Sequence, residues 1–204
     1  MRALALAAVL VAPVGTPAHE SAGLVDLKQR SPTLELGLRY ATKRNLTGAR
    51  LPGYCRPWAM MLRPAARDLA RVQRGLRRRG LGLKVLDAYR PARASRALVR
   101  WARRTGRGEL VGTYIAERSR HNQGSAVDLT LVRRSNGRQL PMGTRYDHLG
   151  PRANTLNARG RVLRNRLTLK RAMERFGFAN YHREWWHFEH PVRGVKYLDL
   201  TLGC

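Results

Sequence analysis

The 204-residue chain has only 13 acidic residues against 40 lysines and arginines, and only two cysteines. The shortage of carboxylates gives a formal net charge of +27 and an isoelectric point of about 11.7. Two cysteines that lie far apart in sequence do not favour a cysteine-rich metal site. Beyond the N terminus no stretch is apolar enough to cross a membrane, and there is no internal repeat. The length therefore predicts one domain with a core of ordinary size.

The first eighteen residues differ from the rest of the chain. Arg2 is followed by an apolar run over residues 3–12, and then by prolines, glycine and small residues up to Ala18. This order is typical of a secretory signal, and the run is shorter than the ~20 apolar residues of a spanning helix. An apolar N-terminal helix of the mature fold is the alternative. We expect a signal peptide over residues 1–18, a folded domain over 19–204, and a periplasmic or secreted protein.

Almost all of the positive charge is arginine, spread from Arg30 to Arg193. Such a field attracts nucleic acid, anionic lipid or anionic cell-wall polymer. No single block of arginines resembles a DNA-reading helix, so a solvated surface is the favoured interpretation and no specific nucleic-acid partner is expected. A cationic module that binds polyanions is the alternative from a different functional class.

Cys55 and Cys204 fit an exported chain, because disulfides persist in oxidising compartments. A bridge between them would tie the last residue to the early part of the domain. The entropic model assigns at most about 4–5 kcal/mol to so long a loop. Two free thiols are the alternative, since the sequence does not give the distance that decides it. We predict the bridge.

Hydrophobic periodicity predicts an α+β fold with a mostly antiparallel central sheet flanked by helices. The predicted helices cover residues 64–79, 92–104 and 158–176, and the predicted strands cover residues 83–88, 125–132 and 185–190. The dipeptide Asn136-Gly137 predicts a two-residue hairpin turn, after which residues 138–142 return antiparallel.

Four side chains in two short blocks carry the chemistry. His121 and Asp128 lie in one block, and Glu184 and His187 lie in the other. Two imidazoles and one carboxylate make a three-ligand site for zinc with one position open for water. A second carboxylate beside that water can take its proton. The sequence is therefore compatible with one Zn²⁺ held by His121, Asp128 and His187, with Glu184 next to it, although the spacing of these residues does not require a metal.

Strand geometry sets a condition on this site. Asp128 shares a strand face with Ala126 and Thr130, whereas the residues between them face a core. Glu184 and His187 are three apart, so both reach one site only if Glu184 lies in the turn before the strand or the strand is irregular there. Two other histidines, His182 and His190, are rival ligands. The remaining two, His19 and His148, are expected to lie at the surface.

The pattern Ser-x-His-x-x-Gly-Ser-Ala-x-Asp followed by Glu-Trp-Trp-His resembles the VanX-type zinc D-alanyl-D-alanine dipeptidases. That group of D,D-peptidases shares a fold with the Hedgehog signalling domain. Three further blocks resemble the family in the same order and extend the similarity over most of residues 24–200: Tyr40 to Gly48, Asp87 to Pro91, and Pro141 to Asp147.

The resemblance implies a zinc peptidase that hydrolyses the dipeptide D-Ala-D-Ala, with Zn²⁺ bound by His121, Asp128 and His187. The export signal and the two cysteines depart from the cytoplasmic resistance enzymes of this family, so export is expected from the N-terminal run alone.

The resemblance implies that Glu184 is the catalytic base and then acid, and that Arg90 stabilises charge at the scissile carbonyl or holds the substrate carboxylate. It also implies a set of substrate-binding and supporting residues: Asp147 and Tyr40 for the ammonium group, and Ser119 and Asp87 for the carboxylate end and Arg90. A D,D-carboxypeptidase or endopeptidase acting on longer peptidoglycan peptides is the alternative, and the sequence leaves the oligomeric state open.

Overall fold

The computed structural model describes residues 17–192 and 194–204. Residues 1–16 of the predicted signal peptide therefore lie outside the described residues, and residues 17 and 18 lie in a first short helix. The described residues form five α-helices: α1 (Pro17–Ser21), α2 (Leu27–Arg30), α3 (Arg63–Arg77), α4 (Ala92–Arg104) and α5 (Gly160–Glu174). They also form seven strands: β1 (Leu24–Asp26), β2 (Glu35–Leu36), β3 (Met60–Leu62), β4 (Leu81–Asp87), β5 (Ala126–Arg133), β6 (Ala179–Asn180) and β7 (His187–Glu189).

The central sheet has five strands in the order β2-β4-β5-β7-β6. Only β2 and β4 pair in parallel, and the remaining neighbours are antiparallel. A separate two-stranded antiparallel sheet joins β1 to β3. The predicted α+β fold with a mostly antiparallel central sheet is therefore confirmed.

The larger core lies on the face of the sheet covered by α3 and α5. This core contains three apolar β5 residues that alternate with Asp128, together with apolar residues of α3: Val127, Leu129 and Leu131 from β5, and Ala65, Leu69, Val72 and Leu76 from α3. Burying a Leu or Val side chain contributes about 1.5–3 kcal/mol. The period-two pattern of β5 therefore fixes which face is apolar and leaves Asp128 on the other.

The predicted helices are confirmed within a few residues. Helix α3 has Pro64 in its first turn, where proline is well tolerated because its missing N–H needs no partner. Helix α4 has the predicted bounds, and α5 begins two residues later than predicted, at Gly160. Gly80 has a φ of 71° just beyond α3, which is a conformation that glycine adopts at a helix end.

The prediction of a two-residue hairpin turn is wrong. The N–H of Arg133 donates to the carbonyl of Arg138 at 2.9 Å, so four residues form the loop. The expected turn needs positive φ at both central residues, and among these residues only Gly137 has it (65°). The returning segment is antiparallel as predicted, but it forms a single bridge between Val132 and Gln139 instead of a strand.

The last predicted strand begins later than expected. Strand β7 starts at His187, and Trp185 and Trp186 lie in the turn before it. Glu184 therefore precedes the strand, which meets the condition under which Glu184 and His187 can share one site. The prediction that His19 lies at the surface is wrong, because His19 is buried and its ring packs edge-on against Trp58.

The predicted disulfide is present between Cys55 and Cys204, whose Cα atoms are 5.1 Å apart. It fastens the C-terminal segment beside Tyr54, which pairs with Leu202 in a parallel bridge. Within the described part of the chain, no helix is both long enough and apolar enough to cross a membrane.

Candidate metal centre and active site

An irregularity in β4 brings three polar side chains into one row across the sheet. Val85 pairs with Leu129, and the next registered pair is Asp87 with Asp128, so Leu86 is an extra residue. A bulge of this kind re-aims the side chains that follow it. On the other side of β5, Asp128 pairs with His187. Asp128 thus lies in the middle strand between Asp87 and His187.

His121 reaches this row from a short 3₁₀ helix, Arg120–Gln123. The hydroxyl of Ser119 accepts a hydrogen bond from the His121 N–H at 3.2 Å, which caps the helix. Gly124 ends it with a φ of 67°, and a Cβ at this position would collide with Leu24. The glycine that follows His121 is therefore required by both backbone conformation and space.

The two imidazoles and Asp128 converge on one point. His121 Nδ1 lies 2.6 Å from the carbonyl of Ala88 and donates to it, and His187 Nε2 lies 3.3 Å from Glu189 Oε1. In the neutral rings these bonds leave a free lone pair on His121 Nε2 and another on His187 Nδ1. These two atoms are 3.1 Å apart, and they lie 3.2 and 2.9 Å from Asp128 Oδ1.

These three atoms fit a divalent cation. Tetrahedral zinc with bonds of about 2.0–2.1 Å separates neighbouring ligand atoms by about 3.3 Å, close to the distances found here. Burial disfavours charge on His187, but the hydrogen bond to Asp128 outweighs it and raises the pKa of His187 to about 10. The cluster therefore favours positive charge where the lone pairs meet. Among the described residues, His121, Asp128 and His187 form the group of three that could hold a metal ion.

The second carboxylate oxygen of Asp128, Oδ2, also has partners in the protein. The hydroxyl of Tyr146 donates to Asp128 Oδ2 at 2.8 Å, and Arg90 Nη2 lies 3.7 Å from the same atom. Burial alone would raise the pKa of Asp128, but the two imidazoles outweigh it and hold this pKa below its usual range. Asp128 is therefore held as a carboxylate with Oδ1 directed at the imidazoles.

Glu184 lines the same cavity as the three candidate ligands and is 8% exposed. Its carbonyl accepts from the Asn180 side chain at 3.0 Å, which fixes the turn. Among the described residues no side-chain or backbone donor bonds to its carboxylate. Burial raises the pKa of Glu184 to about 8. A carboxyl group with a pKa near neutrality is suited to both accepting and returning a proton.

Arg90 is buried beside this group and is oriented by Asp87. Its Nε and Nη2 atoms lie 2.9 and 2.8 Å from Asp87 Oδ2, and the hydroxyl of Tyr54 donates to Asp87 Oδ1 at 2.6 Å. The guanidinium carbon lies 4.9 Å from the centre of the Tyr40 ring. These contacts fix a positive charge at the edge of the cavity.

Asp147 lines the cavity in a strained loop. It has a φ of 60°, which is uncommon for a residue other than glycine and often marks a functional site. The hydroxyl of Tyr40 donates to Asp147 Oδ1 at 3.0 Å, whereas Oδ2 is buried and has no hydrogen-bond partner. Burial raises the pKa of Asp147 well above its usual range.

All of the predicted site residues line or border one cavity of about 350 Å³. Eight of them line it directly: Tyr40, Arg90, Ser119, His121, Asp128, Asp147, Glu184 and His187. Asp87 does not line it and contacts it through Arg90. Of the rival histidines, His182 is exposed and His190 pairs instead with Asp68 at 3.2 Å. His148 is exposed, as expected.

Sequence reasoning missed several supporting residues. Asn122 is fully buried, and its side chain donates to the carbonyl of Arg90 and to Ser95 Oγ at 2.8 and 2.9 Å. The Asn122 side-chain oxygen also accepts from the Ser119 N–H at 2.8 Å. Its position beside His121 was the one available signal. The sequence gives only a weak signal for three further supporting residues, because they lie in loops or form hydrogen bonds with residues distant in sequence: Tyr54, Tyr146 and Glu189.

The chain matches the peptidase family described as D-Ala-D-Ala dipeptidase over residues 20–201. It is 33% identical over 168 residues to a D-alanyl-D-alanine dipeptidase of Enterococcus faecium, covering 74% of this chain and 82% of that protein. It is 35% identical over 170 residues to a D-alanyl-D-alanine dipeptidase of Escherichia coli, covering 82% of this chain and 84% of that protein. A solved LD-carboxypeptidase, LdcB, superposes with a TM-score of 0.44 at 18% identity, over 66% of this chain and 61% of that one.

Proposed function

This chain belongs to the D-Ala-D-Ala dipeptidase family of peptidases, and on that basis we propose that it is a zinc hydrolase that cleaves D-Ala-D-Ala into two D-alanines. One observation carries the proposal. Three lone pairs of His121, Asp128 and His187 converge in a cavity that is also lined by three charged side chains: Glu184, Arg90 and Asp147.

His121 Nε2, His187 Nδ1 and Asp128 Oδ1 would hold one zinc ion. When bound, zinc lowers the pKa of a water molecule towards ~7 and polarises an amide carbonyl. The hydrogen bonds from His121 to Ala88 and from His187 to Glu189 fix the tautomers that leave the required lone pairs free. In the neutral rings the protein thus directs both lone pairs at one point, and binding of zinc would release the proton that the raised pKa keeps on His187.

Glu184 acts as the general base and then as the general acid. Its carboxylate accepts the proton of the attacking water and returns it to the amine that leaves. The absence of competing donors on this carboxylate among the described residues keeps it available for that proton. Because burial holds its pKa near neutrality, the proton can move in both directions at little free-energy difference.

Arg90 stabilises the negative charge that develops on the carbonyl oxygen, or holds the carboxylate of the second alanine. Its guanidinium is already oriented by Asp87 and Tyr54, so little reorganisation is needed when charge develops. Asp87 therefore acts through Arg90 and does not contact the substrate. Ser119 borders the same end of the cavity and supports the carboxylate side.

Asp147 pairs with the free ammonium group of the dipeptide. Its buried Oδ2 has no hydrogen-bond partner among residues 17–192 and 194–204, and an ammonium group would supply one. Tyr40 holds the other carboxylate oxygen and also packs on Arg90, so it links the two ends of the site. A ligand with one ammonium and one carboxylate matches these two ends.

The same proposal places the enzyme in the periplasm or outside the cell. The apolar N-terminal run supports export, and the Cys55–Cys204 disulfide suits an oxidising compartment. Fractionation of a bacterial host that expresses the full chain, compared with a chain lacking residues 1–18, tests this part. Export of both forms, or of neither, would contradict it.

The decisive experiment compares D-Ala-D-Ala hydrolysis by the parent, Glu184→Gln and Glu174→Gln. Glu174 is a glutamate on α5 that pairs with Lys170 and does not line the cavity, so its variant is the matched control. We expect Glu184→Gln to lower kcat by about 10²–10⁴-fold, with one zinc per chain retained and Glu174→Gln unchanged. Hydrolysis by Glu184→Gln at the parent rate, or full activity of metal-free protein, contradicts the proposal.

A further inference from the structure

A second cavity of about 860 Å³ adjoins the active site. The two cavities share Leu46, Asp147 and Leu149 in their walls, so the second begins where the first ends, at Asp147. Four arginines line the second cavity, which is called the arginine groove below: Arg39, Arg44, Arg107 and Arg145.

These arginines lack anionic partners. Within residues 17–192 and 194–204, none of the four forms an ion pair, and Asp147 is the sole acidic residue in the groove wall. Other arginines do pair, as Arg71 does with Asp68 at 3.2 Å and Arg93 with Asp199 at 3.0 Å. The groove therefore concentrates positive charge that the protein leaves uncompensated.

Besides Asp147 Oδ2, two buried polar atoms of the groove residues have no hydrogen-bond partner among the described residues. The Nε atom of Arg39 and the hydroxyl of Thr130 are both shielded from solvent without a hydrogen bond, and Thr130 is 1% exposed. Thr130 follows Asp128 on the same face of β5, so the sheet face that forms the active site continues into the groove. Buried polar groups without partners are unfavourable and are expected where a ligand completes the site.

We propose that the arginine groove binds a carboxylate carried by an acyl chain on the amino end of D-Ala-D-Ala. The inference rests on the proposed function, which places the amino end of the dipeptide at Asp147, one of the three residues shared by both cavities. An acylated amino group retains one N–H that can donate to Asp147. Its chain then continues along Trp101 and Leu110, and its carboxylate meets the guanidinium groups, which bind carboxylates through paired N–H donors.

The test compares two inhibitors of equal length, glutaryl-D-Ala-D-Ala and pentanoyl-D-Ala-D-Ala. Both lose the ammonium contact with Asp147, so their difference isolates the terminal carboxylate. Inhibition of D-Ala-D-Ala hydrolysis and direct calorimetric binding are measured at fixed salt with the parent and with Arg39→Gln, Arg107→Gln and the double variant. We expect the parent to bind the glutaryl compound about fivefold more tightly, because partly exposed ion pairs are individually weak. In the double variant the preference should fall below twofold.

Arg79→Gln is the matched control, since Arg79 is exposed beyond α3 and lines neither cavity while its loss changes the net charge equally. It should keep the full preference. Equal binding of the two compounds by the parent, or an unchanged preference in the double variant, overturns the inference. Dipeptide hydrolysis by each variant is measured in parallel, so a failure of the groove is distinguishable from a failure of the proposed function. If the parent hydrolyses no dipeptide, calorimetry still decides whether the groove discriminates between the compounds.

Discussion

Two carboxylates that line the site, Asp128 and Asp147, differ in how fully the protein satisfies them. Asp128 lies in the central strand, with one oxygen beside two imidazoles and the other bonded to Tyr146. Asp147 lies in a loop with a φ of 60°, with one oxygen bonded to Tyr40 and the other buried without a partner. The first is called the metal end and the second the amino end.

This difference shows which part of the site is complete before substrate arrives. The proposed cation would complete the metal end, where the sheet and the cap of the 3₁₀ helix already orient the three candidate ligand atoms. The amino end holds an unsatisfied buried acceptor, and such an acceptor costs about 1–3 kcal/mol. In the proposed function, binding of an ammonium group would remove that cost, so the amino end would discriminate between ligands while the metal end would perform the chemistry.

The largest expected effect tests whether His121 belongs to the metal end. Replacing it by alanine in His121→Ala removes one of three ligand atoms. Loss of a group that merely supports a metal ligand lowers affinity 10–100-fold, so we expect zinc affinity to fall by more than about 100-fold and activity to fall with it. Competition with a chromogenic chelator measures the affinity. His182→Ala, which alters an exposed histidine, is the control, and zinc retained by His121→Ala would remove this residue from the ligand set.

The next effect separates the two ends. Asp147→Asn removes the charge that is proposed to pair with the ammonium group. A hydrogen bond to a charged group contributes about 1.5–3 kcal/mol, so we expect KM for D-Ala-D-Ala to rise roughly 10–100-fold while zinc affinity stays constant. Steady-state kinetics and chelator competition on the same preparation decide this. A comparable loss of zinc would mean that the two ends are not independent.

The metal end was largely predictable from sequence, because it is built on regular structure. Alternation along β5 places Asp128 opposite the apolar face, and the separation of Glu184 from His187 sets the condition that the turn before β7 meets. The bulge at Leu86 was not predictable, since no residue in that strand marks it. The prediction of a two-residue turn was wrong for a related reason. An Asn-Gly turn of that type needs positive φ at both residues, and Asn136 does not adopt it.

The amino end had no independent signal in the residue pattern. Tyr40 and Asp147 are 107 positions apart and lie in loops, where no periodicity records a contact. Only the resemblance to a family pointed to them. Tyr146 was missed although it immediately precedes Asp147, because the bond from its hydroxyl to Asp128 depends on how the loop folds over the sheet.

Tyr146 connects the two ends, and its removal is expected to have a smaller effect. In Tyr146→Phe the ring contacts with Tyr40 and Trp186 can persist, whereas the bond to Asp128 Oδ2 is lost. We expect zinc affinity to fall about 10-fold, at the lower limit for a group that orients a ligand. Tyr54→Phe is the control, since that hydroxyl bonds to Asp87 and not to a ligand. Equal zinc affinities for Tyr146→Phe and the parent would show that the sheet alone orients Asp128.

The smallest expected effect is on thermal stability, and it tests whether the Asp147 carboxylate at the amino end is unsatisfied in the native protein. Burial raises the pKa of Asp147 well above the unfolded value of about 3.9. The stabilisation that comes from protonating this group is therefore fully present below about pH 4 and is lost as pH rises through the native pKa. Asp147→Asn stays neutral, so we expect its Tm to match that of the parent near pH 4 and to exceed it by about 2–4 °C at pH 8, as about 1 kcal/mol implies.

Thermal unfolding of both proteins at the two pH values isolates the effect of the Asp147 carboxylate, because changes at the histidines affect both proteins equally. A Tm difference that does not vary with pH would mean that the charge of Asp147 is already satisfied in the native protein.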